Sequence, residues 1–129
     1  MTNDSGPGTM HIGEVAEKTG LSLRTLRHYD EIGLVTASGR TEGGFRLYTD
    51  HDLSRLLLIR RMKPLRFPLE DMIELLRVID VMKSNDPNAP SCTEREQFDR
   101  FLADAVERRQ DLHEQLAMAD EFLDLLRQQ

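Results

Sequence analysis

A chain of 129 residues, 39% hydrophobic and 31% charged, has room for one small domain and an extension, and no apolar run approaches the ~20 residues of a membrane span. The first ten residues carry neither a basic start nor an apolar core, so no secretory signal is expected. The single cysteine, Cys92, excludes an intrachain disulfide and fits a reducing cytoplasm. The net charge of −6 is unevenly spread: residues 1–68 hold 10 Lys+Arg against 8 Asp+Glu and residues 69–129 hold 7 against 15, which leaves the N-terminal half free to approach phosphates.

Residues 1–9 read as a disordered tail. Ile12, Val15 and Ala16 then sit at helical spacing until Thr19-Gly20, where Gly20 suits a C-cap. Ser22 is a good N-cap for a second helix through Leu26 and Tyr29 to about Ile32, closed by Gly33. Two short helices joined by a Gly-containing turn predict a helix-turn-helix, or on the same pattern a generic helical hairpin.

Between residues 34 and 48 the period changes. Gly39, Gly43 and Gly44 punctuate the stretch and Phe45-Arg46-Leu47-Tyr48 alternates, which predicts a β-hairpin wing. Its faces carry Phe45 and Leu47 on one side, Arg46 and Tyr48 on the other. Thr49 and Asp52 form a near capping box for a helix through about Lys63, with Leu53, Leu56, Leu57 and Met62 as its expected buried stripe. Pro68 is placed to start the next helix, whose apolar face carries Leu69, Met72, Ile73, Leu76 and Ile79. Residues 84–92 read as a Pro/Asn/Ser loop.

Thr93 with Glu96 makes a capping box for a final helix to about Arg127. Its seam is Phe98, Leu102, Ala105, Arg109, Leu112, Leu116, Ala119, Leu123 and Leu126, stepping by four and three. At ~1.5 Å per residue this helix is about 50 Å long and cannot bury such a seam by itself, so a second copy is expected against it. Arg109, the polar member, either fixes register or snorkels to the edge.

If residues 12–32 are a helix-turn-helix, the start of its second helix meets base edges in the major groove. That geometry assigns Leu23, Arg24, Thr25, Arg27 and His28 to the DNA. Arg24 either pairs with a guanine edge or contacts phosphate. No nucleophile–base pair, phosphate-cradling glycine loop or carboxylate pair with metal spacing is present, so no enzyme activity is expected.

The stretches Ile12-Gly13-Glu14-Val15-Ala16, Thr25-Leu26-Arg27-His28-Tyr29-Asp30, Gly33-Leu34, Arg40, Gly44-Phe45-Arg46-Leu47-Tyr48, Asp52-Leu53 and Ile59-Arg60-Arg61 together resemble the MerR family of transcription regulators, over about residues 10–82. The resemblance implies a mainly α fold: a winged helix-turn-helix DNA-binding domain with a small β-hairpin wing over 10–83, including accessory helices, then the 84–92 loop and an antiparallel coiled-coil dimerisation helix over 93–129. It implies that Tyr29, Arg40, Arg46 and Tyr48 grip phosphates, Tyr29 having core packing as its other reading. It implies a homodimer on a palindromic promoter operator that controls RNA polymerase by distorting the DNA in response to a signal. An architectural DNA binder built on a related winged helix is the other reading.

For that signal the residues offer little. Cys92 stands where soft-metal sensors of the family place a cysteine, but residues 120–129 hold no Cys or His to join it, so no metal or other cofactor is expected. Cys92 remains either a redox sensor or a plain loop cysteine. A small apolar ligand between the 69–83 helix and the coiled coil is also open.

Overall fold

The computed structural model describes residues 8–84 and 92–129. In chain order the elements are β1 (Thr9–His11), α1 (Ile12–Thr19), α2 (Leu23–Glu31), β2 (Gly39–Arg40), β3 (Arg46–Thr49), α3 (Asp50–Met62), a 3-10 turn (Lys63–Leu65), α4 (Leu69–Lys83) and α5 (Cys92–Arg127). The chain divides into two compact units, Met1–Ile73 and Glu74–Gln129, the division falling within α4.

Local chemistry sets the helix ends of the first unit. α1 stops at Gly20, which takes φ 74 and returns its N–H to the Ala16 carbonyl at 2.9 Å. Thr19, fully buried, bonds its hydroxyl to the Val15 carbonyl at 2.8 Å and accepts the Leu21 N–H at 3.2 Å, so the turn is tied from inside. Ser22 caps α2 by accepting the Thr25 N–H at 3.0 Å. At the far end Gly33 has φ 79, and the Leu34 N–H reaches back to the Tyr29 carbonyl at 3.0 Å, the six-to-one bond of a Schellman closure. These are the start and stop signals expected from the sequence.

The wing is one edge of a larger sheet. β1 and β2 both pair antiparallel with β3, in the order β1-β3-β2. The register sets Thr9 opposite Thr49, Met10 opposite Tyr48, and Arg40 opposite Arg46. Thr9 therefore belongs to a strand, where a tail over 1–9 was expected; the rest of that tail, up to residue 7, lies outside the described residues. Alternation along β3 carries Tyr48 into the core beside Met10, and leaves Phe45 68% exposed at the hairpin.

Thr49 and Asp52 form a complete capping box on α3, with bonds of 3.1 and 3.0 Å in the two directions. Asp52 is buried and also accepts the Ser38 hydroxyl at 2.5 Å, so the cap of α3 doubles as an anchor for the wing's first strand. The buried stripe of α3 is Asp52, Leu56, Ile59 and Met62, while Leu53 and Leu57, expected inside, are half-buried. The core of this unit gathers Val15, Leu26, Tyr29, Leu34, Val35, Tyr48, Leu56 and Ile59, one stripe from each helix closed by the sheet.

Pro68 precedes α4, its carbonyl accepting the Asp71 and Met72 N–H groups at 3.0 and 3.1 Å. In the second unit, Arg77 of α4 donates to Glu74 at 2.6 Å and to Gln97 of α5 at 3.1 Å. Of the loop expected over 84–92, residues 85–91 lie outside the described residues, and Cys92 is already helical. Thr93 thus stands inside the first turn of α5 and not at its cap. α5 runs for 36 residues, about 54 Å at ~1.5 Å per residue.

Candidate nucleic-acid interface

α2 offers its two faces to different media. Leu26 and Tyr29 point into the core, and the opposite side exposes Arg24, Arg27 and His28. Among the described residues, the side chains of Arg24 and Arg27 have no hydrogen-bond or ion-pair partner. The first turn of α2 contains no acidic residue, whereas those of α1, α3, α4 and α5 all do. The positive end of the α2 dipole is therefore uncompensated by the chain, which favours an incoming phosphate. Thr25 is tied into the cap, since the Ser22 hydroxyl donates to its Oγ1 at 2.9 Å, and Leu23 is exposed beside it.

An open cleft of about 620 Å³ runs along this face, lined by Arg24, Thr25, Arg27, His28, Tyr29, Glu31 and Lys63. Lys63 comes from the 3-10 turn after α3, with its ammonium 5.6 Å from the centroid of the Tyr29 ring, a cation–π contact. Two arginines, a lysine and a histidine thus share the cleft with one carboxylate. Lys63 was not among the residues assigned to DNA from the sequence. Its only signal there is a basic residue at a helix end, and that gives no hint of proximity to α2.

The wing arginines are held from below by a single carboxylate. Asp30, in the last turn of α2, accepts Arg46 Nε at 2.7 Å and the Ala37 N–H at 3.0 Å, and Arg40 Nη2 lies 3.6 Å away. Arg40 also donates to the Gly44 carbonyl at 2.9 Å. Burial by itself would raise the Asp30 carboxyl; the Arg46 bond, the Ala37 amide and the two arginine charges outweigh it and hold the group below its ordinary range. Bonding to Asp30 in turn holds the Arg46 guanidinium charged.

Residues 10–79 of this chain match the family model described as MerR HTH family regulatory protein. The chain belongs to the MerR HTH family. It is 36% identical over 116 residues to the HTH-type transcriptional regulator CueR of Salmonella typhimurium, covering 90% of this chain and 78% of that one. Among solved structures it resembles HiNmlR, described as a MerR family regulator lacking the sensor domain and bound to promoter DNA, with a TM-score of 0.62 and 30% identity over 92% of this chain and 84% of that chain. A MerR family transcriptional regulator from Bacillus cereus is also similar, with a TM-score of 0.62 and 28% identity over 90% of this chain and 75% of that one. Transcription regulation through DNA binding is the function of this MerR-family chain.

One of the residues expected from the family to grip phosphate lies in the core. Tyr48 is 0% exposed, and its hydroxyl is buried without a hydrogen-bond partner among the described residues. Period-two alternation puts it on the face of β3 that closes the core. Tyr29 is also a core residue, its hydroxyl likewise buried and its ring in the cleft wall. Arg40 remains about half exposed and Arg46 21% exposed at the side chain, both near Asp30.

The expected seam of α5 lies largely in solvent in the single chain. Leu102, Leu116, Leu123 and Leu126 are 54%, 59%, 43% and 53% exposed, with Leu112, Ala119 and Arg109 also exposed and Phe98 and Ala105 half-buried. Met118, Phe122 and Leu125 add a second exposed apolar row at i, i+4 and i+7. The side chain of Cys92 lies outside what the structure describes, and with it the sensor reading of that residue.

Proposed function

We propose that this chain acts as a homodimer on a palindromic promoter operator and controls RNA polymerase there by distorting the DNA in response to a signal. The observation that carries the reading is the exposed basic face of α2, opening on a cleft that Lys63 completes, at a helix start free of acid. Leu23, Arg24, Thr25, Arg27 and His28 approach the major groove, and Arg24 reads a base edge or holds a phosphate. Arg40, Arg46 and Lys63 hold the backbone. In this reading the DNA-binding domain spans 10–83, and the chain performs no catalysis.

Dimerisation rests on the apolar rows of α5. Six exposed leucines on one helix of this length, five of them in the expected seam, favour a second copy, and the family's antiparallel pairing is the orientation we adopt. Two α2 helices then address successive major grooves about one helical turn apart. Distorting such a site costs roughly 1–6 kcal/mol by elastic estimates, which is the scale on which a bound signal can act. The protein works in the cytoplasm, where the DNA is.

Sedimentation at micromolar concentration and footprinting on the genomic sites recovered with the protein test the proposal together. A dimer protecting a promoter palindrome is expected. A monomer overturns the dimer, and scattered protection away from promoters overturns promoter control in favour of an architectural role.

A further inference from the structure

A carboxylate is an unfavourable group to place where Asp30 stands. It lies in the last turn of α2, at the negative end of the helix dipole, with a side chain only 13% exposed and on the half of the protein that meets phosphate. The fold alone asks for an acceptor for the Ala37 N–H, which a neutral side chain supplies equally well. What only a carboxylate supplies is an anchor for two cations at once, Arg46 Nε at 2.7 Å and Arg40 Nη2 at 3.6 Å.

Those contacts join three segments. Ala37 precedes β2, Arg40 ends it, and Arg46 begins β3, so one side chain of α2 touches the stem of the wing on both strands. Asp52 secures the adjacent Ser38 from α3, so the wing stem is fixed from two helices. Arg46 uses only its Nε on Asp30, and its two Nη groups have no partner among the described residues. A guanidinium fixed through one edge presents the rest of its fork in a set orientation.

We infer that Asp30 is a positioning residue for DNA recognition, locking the wing arginines Arg46 and Arg40 to α2 so that their remaining donors meet backbone phosphates in register with the base-reading side of that helix. The inference rests on the DNA-binding reading above and deepens it. Its consequence has the opposite sign to simple electrostatics. A mere surface acid repels DNA, and neutralising it strengthens binding to every duplex and steepens the salt dependence. A positioning acid, once neutralised, leaves charge attraction intact and lowers discrimination.

The full chain is compared with Asp30→Asn, Arg46→Ala and the double variant, on a duplex selected from a random-sequence pool with the unaltered protein and on a scrambled duplex. For Asp30→Asn the affinity for the selected duplex falls about tenfold while that for the scrambled one holds or rises. In the Arg46→Ala background the same change has much less effect. Equal or tighter binding of the selected duplex by Asp30→Asn overturns the inference, as does an equal loss in both backgrounds. Should Asp30→Asn fail to fold, Arg46→Lys decides: it keeps the charge without the fork, and wild-type discrimination in that variant overturns the proposal. If the unaltered protein selects no duplex at all, the DNA-binding reading fails with it; if it selects one, only the role of Asp30 is at stake.

Discussion

Tyr48 lies directly across the sheet from Met10, and both are buried, so the aromatic ring of the wing's long strand is a core residue. Its hydroxyl has no partner among the described residues and no access to solvent. Burial pushes that phenol up from its ordinary value, as expected for a group whose charged form has lost its water. Tyr48→Phe should therefore leave DNA affinity unchanged and alter stability by less than about 1 kcal/mol in either direction, since an unsatisfied polar atom is removed without changing shape. A thermal melt and a binding titration check this. A clear loss of affinity at unchanged stability would restore the hydroxyl to the DNA contact.

The Asp30–Arg46 pair predicts an acid-sensitive step. The folded value of Asp30 lies below its ordinary 3.8, so its stabilisation is present above that value and is lost as pH falls through the depressed folded one. Urea unfolding carried from neutral pH to below the ordinary carboxylate value should show the wild-type protein losing more stability than Asp30→Asn, with the difference appearing only below that value. Superimposed acid limbs would mean that the pair contributes nothing to the fold.

Arg24 and Lys63 line the same cleft from different elements and should fail differently. Lys63→Ala is expected to weaken all duplexes alike and to reduce the slope of affinity against salt by about one. Arg24→Ala is expected to relax preference at one base pair per half-site, by about 1–3 kcal/mol, if it reads a base edge. Titrations over singly substituted duplexes at two salt concentrations separate the two. Uniform losses from both substitutions assign Arg24 to phosphate.

Charges placed in the apolar row of α5 should separate the subunits without touching the DNA-binding unit. Leu116→Glu combined with Leu123→Glu removes two exposed leucines of the seam. The variant should sediment as a monomer, with unchanged helix content in the first unit. Its affinity for a two-half-site duplex should drop by about a hundredfold or more, because the second half-site no longer binds as an intramolecular event. Wild-type sedimentation would move the dimer contact elsewhere, to the row of Met118, Phe122 and Leu125 first.

The parts of the fold that could be read in the sequence are those whose partners are close along the chain. Ser22 finds the Thr25 N–H three residues on, Thr49 and Asp52 cap each other across the same interval, and Gly20 and Gly33 close helices by their own backbone freedom. β1 gave no such signal. It is three residues long, its partner strand lies more than thirty residues away, and nothing in Thr9–His11 alone distinguishes it from a tail. Lys63 escaped for a related reason, since its place beside Tyr29 depends on how α3 crosses the end of α2.

Sequence by itself determined the order of helices and wing, the caps that bound them, the basic character of α2 and the apolar repeat of α5. All of these follow from interactions or periodicities within a few residues. Only the tertiary structure decided which face of β3 is inside, and hence that Tyr48 is core while Arg46 stands beside Asp30. A period of two separates the faces of a strand but does not say which one the helices cover. That choice is made by packing between segments far apart in the chain, and here it determines which side chains remain available to DNA.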